Sequence, residues 1–190
     1  LIDAESDGQK LLDSEIQSLI QAVLMAGMDT TRAQLGLIAI MLSERPDLIS
    51  MLANDVSVED IIEECTRLDS VFKYVMRIAS EDIEYNGVLF PKGTIISPAL
   101  GVNNYDDLAF ENASEFILDR KGTKGNTLSY GGGIHYCLGA SLARAQMQEC
   151  IKVVAKRMPD YKITGEVLYK EAYELAGLEV IKRTLEEQNL

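Results

Sequence analysis

Residues 10–43 constrain the chain most. Leu11, Leu12, Ile16, Leu19, Ile20, Val23 and Leu24 recur at helical spacing. From Leu35 to Leu42 the pattern becomes apolar on nearly every side. A helix of that kind is buried in the middle of a larger body. The apolar run is too short to cross a bilayer. Other elements must cover it, and anything left uncovered would be an apolar surface seeking a partner chain or a second copy.

The remaining pattern supplies those elements. Arg45-Pro46-Asp47 ends the long helix, and Pro46 can open the next one. A short helix is expected over Asp47–Leu52. A third is expected over Val58–Leu68, with Ser57 and Asp60 reading as a capping box. Between Lys73 and Pro98 the texture changes to short alternating segments. Tyr85-Asn86-Gly87-Val88 and Pro91-Lys92-Gly93-Thr94 are turn signals that bound small strands. Residues 103–134 are rich in Asn, Asp and Gly, and a loop this long in a compact domain is usually functional. Ser141–Met158 is again helical, with Leu142, Ala145, Met147 and Ile151 placed on one face and Pro159 as the stop. Tyr161–Leu185 reads as short strands around a turn near Ala176-Gly177. The expected class is mainly α with small β-sheets.

Composition excludes several functions. The formal charge is −12 over 190 residues, the opposite of a nucleic-acid footprint. The first residues are acidic and lack a signal pattern, so a soluble, cytoplasmic setting without a membrane is the expectation. Three cysteines, Cys65, Cys137 and Cys150, contain no CxxC pair, and His135 is the one histidine. Metal chemistry here has to use cysteine or carboxylates.

Gly131-Gly132-Gly133-Ile134-His135-Tyr136-Cys137-Leu138-Gly139 is the segment richest in chemistry. Three glycines let the backbone lie close to a flat ligand. A helix begins just after Gly139, and a cysteine at a helix start has its thiolate stabilised by the positive dipole end. Read alone, the segment fits a buried structural cysteine beside a glycine-rich turn at least as well.

The segment resembles the haem loop of the cytochrome P450 superfamily, F-x-x-G-x-[RH]-x-C-x-G, with Gly133, His135, Cys137 and Gly139 in register and Tyr130 in place of Phe. Leu138-Gly139-Ala140 and Leu142-Ala143-Arg144 are similar to the soluble bacterial branch. Other motifs follow in family order. Glu64-Cys65-Thr66-Arg67 matches E-x-x-R, and Arg120 is the candidate for the second arginine of that pair. Ala26-Gly27-Met28-Asp29-Thr30-Thr31 resembles A-G-x-[DE]-T-T, the place where the family's distal helix bulges over the iron. Asn104-Tyr105-Asp106-Asp107 and Val71 depart from the common N-R-D-P and Pro, which puts the contacts at those points in doubt.

The resemblance implies the C-terminal half of a P450 fold: long distal helix, E-x-x-R helix, cysteine haem loop and following helix. Residues 1–190 would be the haem-binding C-terminal portion of a monooxygenase domain, without its N-terminal half. It implies haem b, with Cys137 as the metal ligand. Arg77 and His135 would hold propionates, Gly131 and Gly139 would lie against the ring, and Ala26 would line the oxygen space. Thr30 would hydrogen-bond the dioxygen-derived group on the iron, and Asp29 would relay protons. Thiolate ligation pushes electron density to the iron and favours O–O cleavage.

The implied activity is hydroxylation or epoxidation of a small organic substrate with electrons from a ferredoxin or flavoprotein reductase. Phe72, Val75, Met76 and Leu175 are placed as substrate contacts from position alone. Arg120, Lys121, Lys124 and Arg144 form a basic cluster for docking an acidic ferredoxin, or a solvated loop. The alternative is a truncated or split relative acting as a non-catalytic haem-binding or interaction subunit, with an N-terminal half on another chain or self-association.

Overall fold

The computed structural model describes residues 5–6, 8–120, 126–169 and 178–181. Among the described residues helices dominate, with four two-stranded antiparallel sheets beside them. The helices are α1 (Asp13–Ser43), α2 (Pro46–Ala53), α3 (Val58–Leu68), α4 (Leu100–Asn103) and α5 (Ala140–Arg157). The strands are β1 (Glu5–Ser6), β2 (Gln9–Lys10), β3 (Arg77–Ile78), β4 (Ile83–Tyr85), β5 (Val88–Phe90), β6 (Ile95–Ile96), β7 (Val167–Tyr169) and β8 (Leu178–Ile181). They pair as β1–β2, β3–β6, β4–β5 and β7–β8.

The core lies where α1, α2, α3 and α5 meet. Ile38, Leu42, Leu48, Ile49, Leu52, Ile61, Ile62, Cys65, Met147, Ile151 and Ala155 form one buried cluster. Each fully buried Leu or Ile contributes roughly 1.5–3 kcal/mol. α1 therefore divides into two parts. Its C-terminal half is covered within the chain, with Leu37, Ile38 and Leu42 buried. Its N-terminal half exposes Leu19, Ile20, Val23, Leu24, Met25 and Met28. The uncovered apolar surface thus lies on the amphipathic part of the helix, and the all-apolar run is the buried part.

Pro46 opens α2 at its first turn as its fixed φ allows. α3 follows its expected bounds, but not its expected cap. Ser57 adopts a left-handed conformation, φ 48°, and its side chain makes no capping bond. α5 also differs from expectation. Met147, Ile151 and Ala155 are buried, but Leu142 is 64% exposed and Ala145 is exposed too. The buried stripe passes through Ala140 and Met147 at three- and four-residue steps, and Leu142 and Ala145 fall beside it. Asn86 and Gly87, both at positive φ, make the two-residue turn of the β4–β5 hairpin, as their residue types require. The turn expected near Ala176-Gly177 lies outside the described residues.

Residues 104–120 have little regular structure, and two arginines hold them in place. Arg67 is fully buried and pairs with Glu64 through two hydrogen bonds of 2.8 Å. Its remaining donors reach the carbonyls of Asn104 and Ala113 at 2.6 Å and of Glu115 at 3.0 Å. Arg120 donates to Glu64 Oε1 at 3.0 Å and to the carbonyls of Glu111, Asn112 and Glu115. The Ile117 amide adds a further bond to Glu64. Burial pushes the Glu64 carboxyl up, but Arg67, the Ile117 amide and Arg120 outweigh it and hold it below its ordinary value.

Glu64→Ala should cost about 3–5 kcal/mol, because it leaves two guanidiniums buried without their counter-charge; denaturant unfolding checks this. The depressed carboxyl adds stability above the unfolded pKa, and that stability is lost as pH falls through the folded value. Glu64→Gln should therefore flatten the acid limb of the stability profile.

Candidate functional site

The cysteine loop is shaped by glycine and closed by backbone bonds. Gly131 and Gly133 sit at φ +73° and +61°, a region that side chains disfavour. A tight 3-10 turn, Gly133–His135, follows. The Cys137 amide donates back to the Tyr130 carbonyl at 2.9 Å, and the Ala140 amide donates to the Cys137 carbonyl at 3.2 Å. Cys137 is thereby held just ahead of α5 with an exposed thiol. Gly139 lies beside the sulfur, and a Cβ there would stand 4.0 Å from Cys137 Sγ, an ordinary van der Waals contact.

The thiol opens into a cavity of about 320 Å³. α1 contributes Ala26, Thr30, Thr31 and Gln34 to its walls. Val71, Phe72, Val75 and Arg77 contribute another side, and Tyr130, Gly131, His135 and Cys137 a third. Residues far apart in sequence therefore converge on one space: Ala26, Thr30, Arg77, Gly131, His135 and Cys137. Phe72 and Val75 line it as well. Met76 does not, and its side chain is exposed. Leu175 lies outside the described residues.

Asp29 does not line the cavity. Its carboxylate pairs with Arg32 at 2.8 Å on the solvent side of α1. α1 also runs as unbroken α-helix through Ala26–Thr31, without a bulge. Thr30 Oγ1 donates to the Ala26 carbonyl at 2.7 Å, so the hydroxyl bonds back within its own turn.

Gln34, one turn beyond Thr30, carries a role that helical periodicity does not signal. It is buried, donates to the Asp69 carbonyl at 2.7 Å and accepts from the Val71 amide at 2.8 Å. α1 is thereby bonded to the segment that leads into Phe72, Val75 and Arg77. A proline at 71 would lack that hydrogen. The residues that depart from N-R-D-P also find partners: Tyr105 Oη donates to the Leu68 carbonyl at 2.6 Å, and Asp107 Oδ1 accepts from the Ala113 amide at 2.9 Å. Asn104 is fully buried; it donates to Ser129 Oγ at 3.0 Å and accepts from the Leu128 amide at 2.9 Å. This fixes the approach to the cysteine loop.

The expected basic docking cluster does not form from its described members. Arg120 is taken up by Glu64 and loop carbonyls, with its side chain 6% exposed. Arg144 pairs with Glu63 and lies over the Tyr130 ring. Burial works against the Arg144 charge, but hydrogen bonds to Glu63 and Tyr136 outweigh it and raise its pKa. Lys121 and Lys124 lie outside the described residues. Burial also pushes the Tyr130 phenol up, with the charge of Glu63 adding to the effect.

Among the described residues no three His, Cys, Asp or Glu converge on a metal site. No helix among them is long and apolar enough to cross a membrane.

A family model described as Cytochrome P450 matches residues 57–156. Putative cytochrome P450 133B1 of Xylella fastidiosa (strain 9a5c) is 35% identical over 161 residues, covering 84% of this chain and 40% of that protein. Luteothin monooxygenase of Streptomyces thioluteus is 32% identical over 179 residues, covering 93% of this chain and 44% of that protein. Among solved structures, CYP109E1 from Bacillus megaterium in complex with corticosterone superposes with a TM-score of 0.86 at 30% identity, covering 94% of this chain and 49% of that one. The chain thus spans about 40% of the length of the curated relatives it matches.

Thiol reactivity reads out the site directly. Cys137 and Cys150 are exposed, whereas Cys65 is buried, with its pKa pushed up to about 12 by burial and the neighbouring Glu64 charge. In the folded, haem-free chain iodoacetamide should label Cys137 and Cys150 and spare Cys65 until denaturant is added. Mass-spectrometric mapping checks this, and native labelling of Cys65 would contradict it.

Proposed function

The chain belongs to the cytochrome P450 family, and on that premise we propose that the protein carrying it is a haem-thiolate monooxygenase, with residues 1–190 as the haem-binding C-terminal portion of the domain. It would hydroxylate or epoxidise a small organic substrate using dioxygen and electrons from a ferredoxin or flavoprotein reductase. The observation that carries this reading is the convergence of Cys137, Arg77, His135, Thr30 and Ala26 on one cavity. Members of the family bind haem b, and the residues present fit it. One exposed thiol faces the cavity. Beside it, Gly131 and Gly132 bring backbone rather than side chain to the wall. Arg77 and His135 offer donors suited to carboxylates.

Haem, when bound, supplies the iron at which dioxygen is activated. The chain's own residues have separate tasks. Cys137 provides the sulfur ligand and its electron density. Arg77, whose guanidinium now bonds only the Met76 carbonyl among the described contacts, orients propionate together with His135. Thr30 holds a proton at Oγ1 on the opposite wall, where its present acceptor is the Ala26 carbonyl. Asp29 takes up protons from solvent once it releases Arg32, and their shared exposure makes that exchange cheap. Val71, Phe72, Val75 and Leu100 give an apolar wall that favours an apolar substrate and excludes water.

The exposed apolar face of α1 suits a further part of the fold, on this chain's own continuation or on a partner. A cytoplasmic setting belongs to the same reading, from the likeness to the soluble bacterial branch. Luteothin monooxygenase, by its name, acts on luteothin; from the apolar wall, an apolar substrate is our expectation here.

The reduced, carbon-monoxide absorption spectrum tests the proposal. The haem-loaded protein should show the red-shifted thiolate band, and Cys137→Ser should lose that band. Thr30→Ala should keep it while product formation falls by about two orders of magnitude. Failure to take up haem, alone or with the rest of the fold, would leave the non-catalytic subunit as the surviving reading.

A further inference from the structure

The geometry points to Glu63 and Arg144 as positioning residues for Cys137: a partly buried ion pair that lines no part of the cavity yet holds the cysteine loop from behind. The inference rests on the proposed role of Cys137 for its purpose, though not for its geometry.

Glu63 lies on α3 beside Glu64, and its side chain is 3% exposed. Arg144 lies in the second turn of α5, 81 residues away, and is 18% exposed. The two form a two-pronged pair, Nε to Oε1 at 2.5 Å and Nη2 to Oε2 at 3.3 Å. The same guanidinium lies over the Tyr130 ring, 4.1 Å from its centroid, and donates to Tyr136 Oη at 3.2 Å. Those two tyrosines bracket the loop. The Tyr130 carbonyl accepts the Cys137 amide at 2.9 Å, and Tyr136 is the residue before the cysteine. Their ring centroids are 6.5 Å apart. One cation therefore anchors the start of the loop through a ring face and its end through a hydroxyl. Glu63 fixes that cation to α3.

Stability alone is a poor account of the pair. Replacing a buried ion pair by apolar side chains is often neutral or stabilising, because desolvation offsets the attraction. What an apolar pair cannot supply is direction. A fork held at two oxygens aims its plane at the Tyr130 ring, and a lysine would not reproduce that. The pair also places one charge of each sign behind the loop, so removing either charge alters the field at a metal bound at Cys137. The pair thus sets both the placement of the sulfur and the field around it.

The test uses the full chain with Glu63→Met and Arg144→Met combined, which leaves no lone buried charge. Hydrogen exchange is measured on the haem-free protein. Exchange of amides 130–139 should speed by about tenfold or more, while α2 amides keep their protection. In the haem-loaded protein, the thiolate carbon-monoxide band should lose amplitude and the midpoint potential should shift. Arg144→Lys, which keeps the charge without the fork, should loosen the loop but hold the potential closer to the starting value.

Unchanged exchange at 130–139 overturns the inference. So does a loosened loop with band and potential unmoved, which would make the pair merely structural. If the double variant does not fold, Glu63→Gln carries the same readouts. It keeps a hydrogen-bond partner for Arg144 and, by removing the anion alone, should raise the potential, and no shift in either readout overturns the inference. If the unsubstituted protein takes up no haem, the proposed function fails, and the exchange measurement still decides the role of the pair.

Discussion

A carboxylate in the interior is costly unless it is paired and fully hydrogen-bonded, and Glu64 is both. Two guanidiniums and one amide converge on it. The arginines then spend their remaining donors on carbonyls of a stretch that has little ladder or helix of its own. Without them, the carbonyls of Asn104, Glu111, Asn112, Ala113 and Glu115 would lack these partners. The irregular stretch is organised from the side, by charge, and its path brings Asn104 against Ser129 at the entry to the cysteine loop.

The cavity repeats this arrangement, with polar bridges setting distances between elements that apolar contact alone would leave adjustable. Hydrophobic packing is non-directional; hydrogen bonds are not. The core cluster gathers α1, α2, α3 and α5. Gln34 then fixes the position of the segment from Asp69 to Val71 relative to α1, within one turn of Thr30. A sequence that places Gln34 and two Thr along the cavity face of α1 gives up local preference for such placement.

Much of this was legible in the amino-acid sequence, and the exceptions have physical causes. α2 and the Asn86-Gly87 hairpin follow from proline placement and positive-φ residues, both of which are local, whereas α3 keeps its expected bounds without the cap that pointed to it. Cys137, Thr30 and Arg120 stood out because they fall in a recognisable order. The face of α5 did not, because Leu142 is large and apolar yet 64% exposed. An apolar pattern records what a fold can bury, and this chain spans about 40% of its relatives' length. Gln34 and the Glu63–Arg144 pair were invisible for another reason. Their partners lie 35 or more residues away, and no spacing rule connects them. Arg144, read beside Arg120, Lys121 and Lys124, looks like part of a surface patch. Only the fold shows that it turns inward.

Glu63 and Glu64 are consecutive on the eleven-residue α3. One holds the stretch from Asn104 to Arg120, and the other holds the loop that carries Cys137. A single short helix is thus the common reference for two segments that do not otherwise share an anchor of this kind. If α3 frays or shifts, both segments lose their datum together. Partial opening at the cysteine loop and partial opening at the Asn-rich stretch should then be one event, and the chain would have few intermediate states in which the thiol is displaced while the rest of the scaffold stays intact.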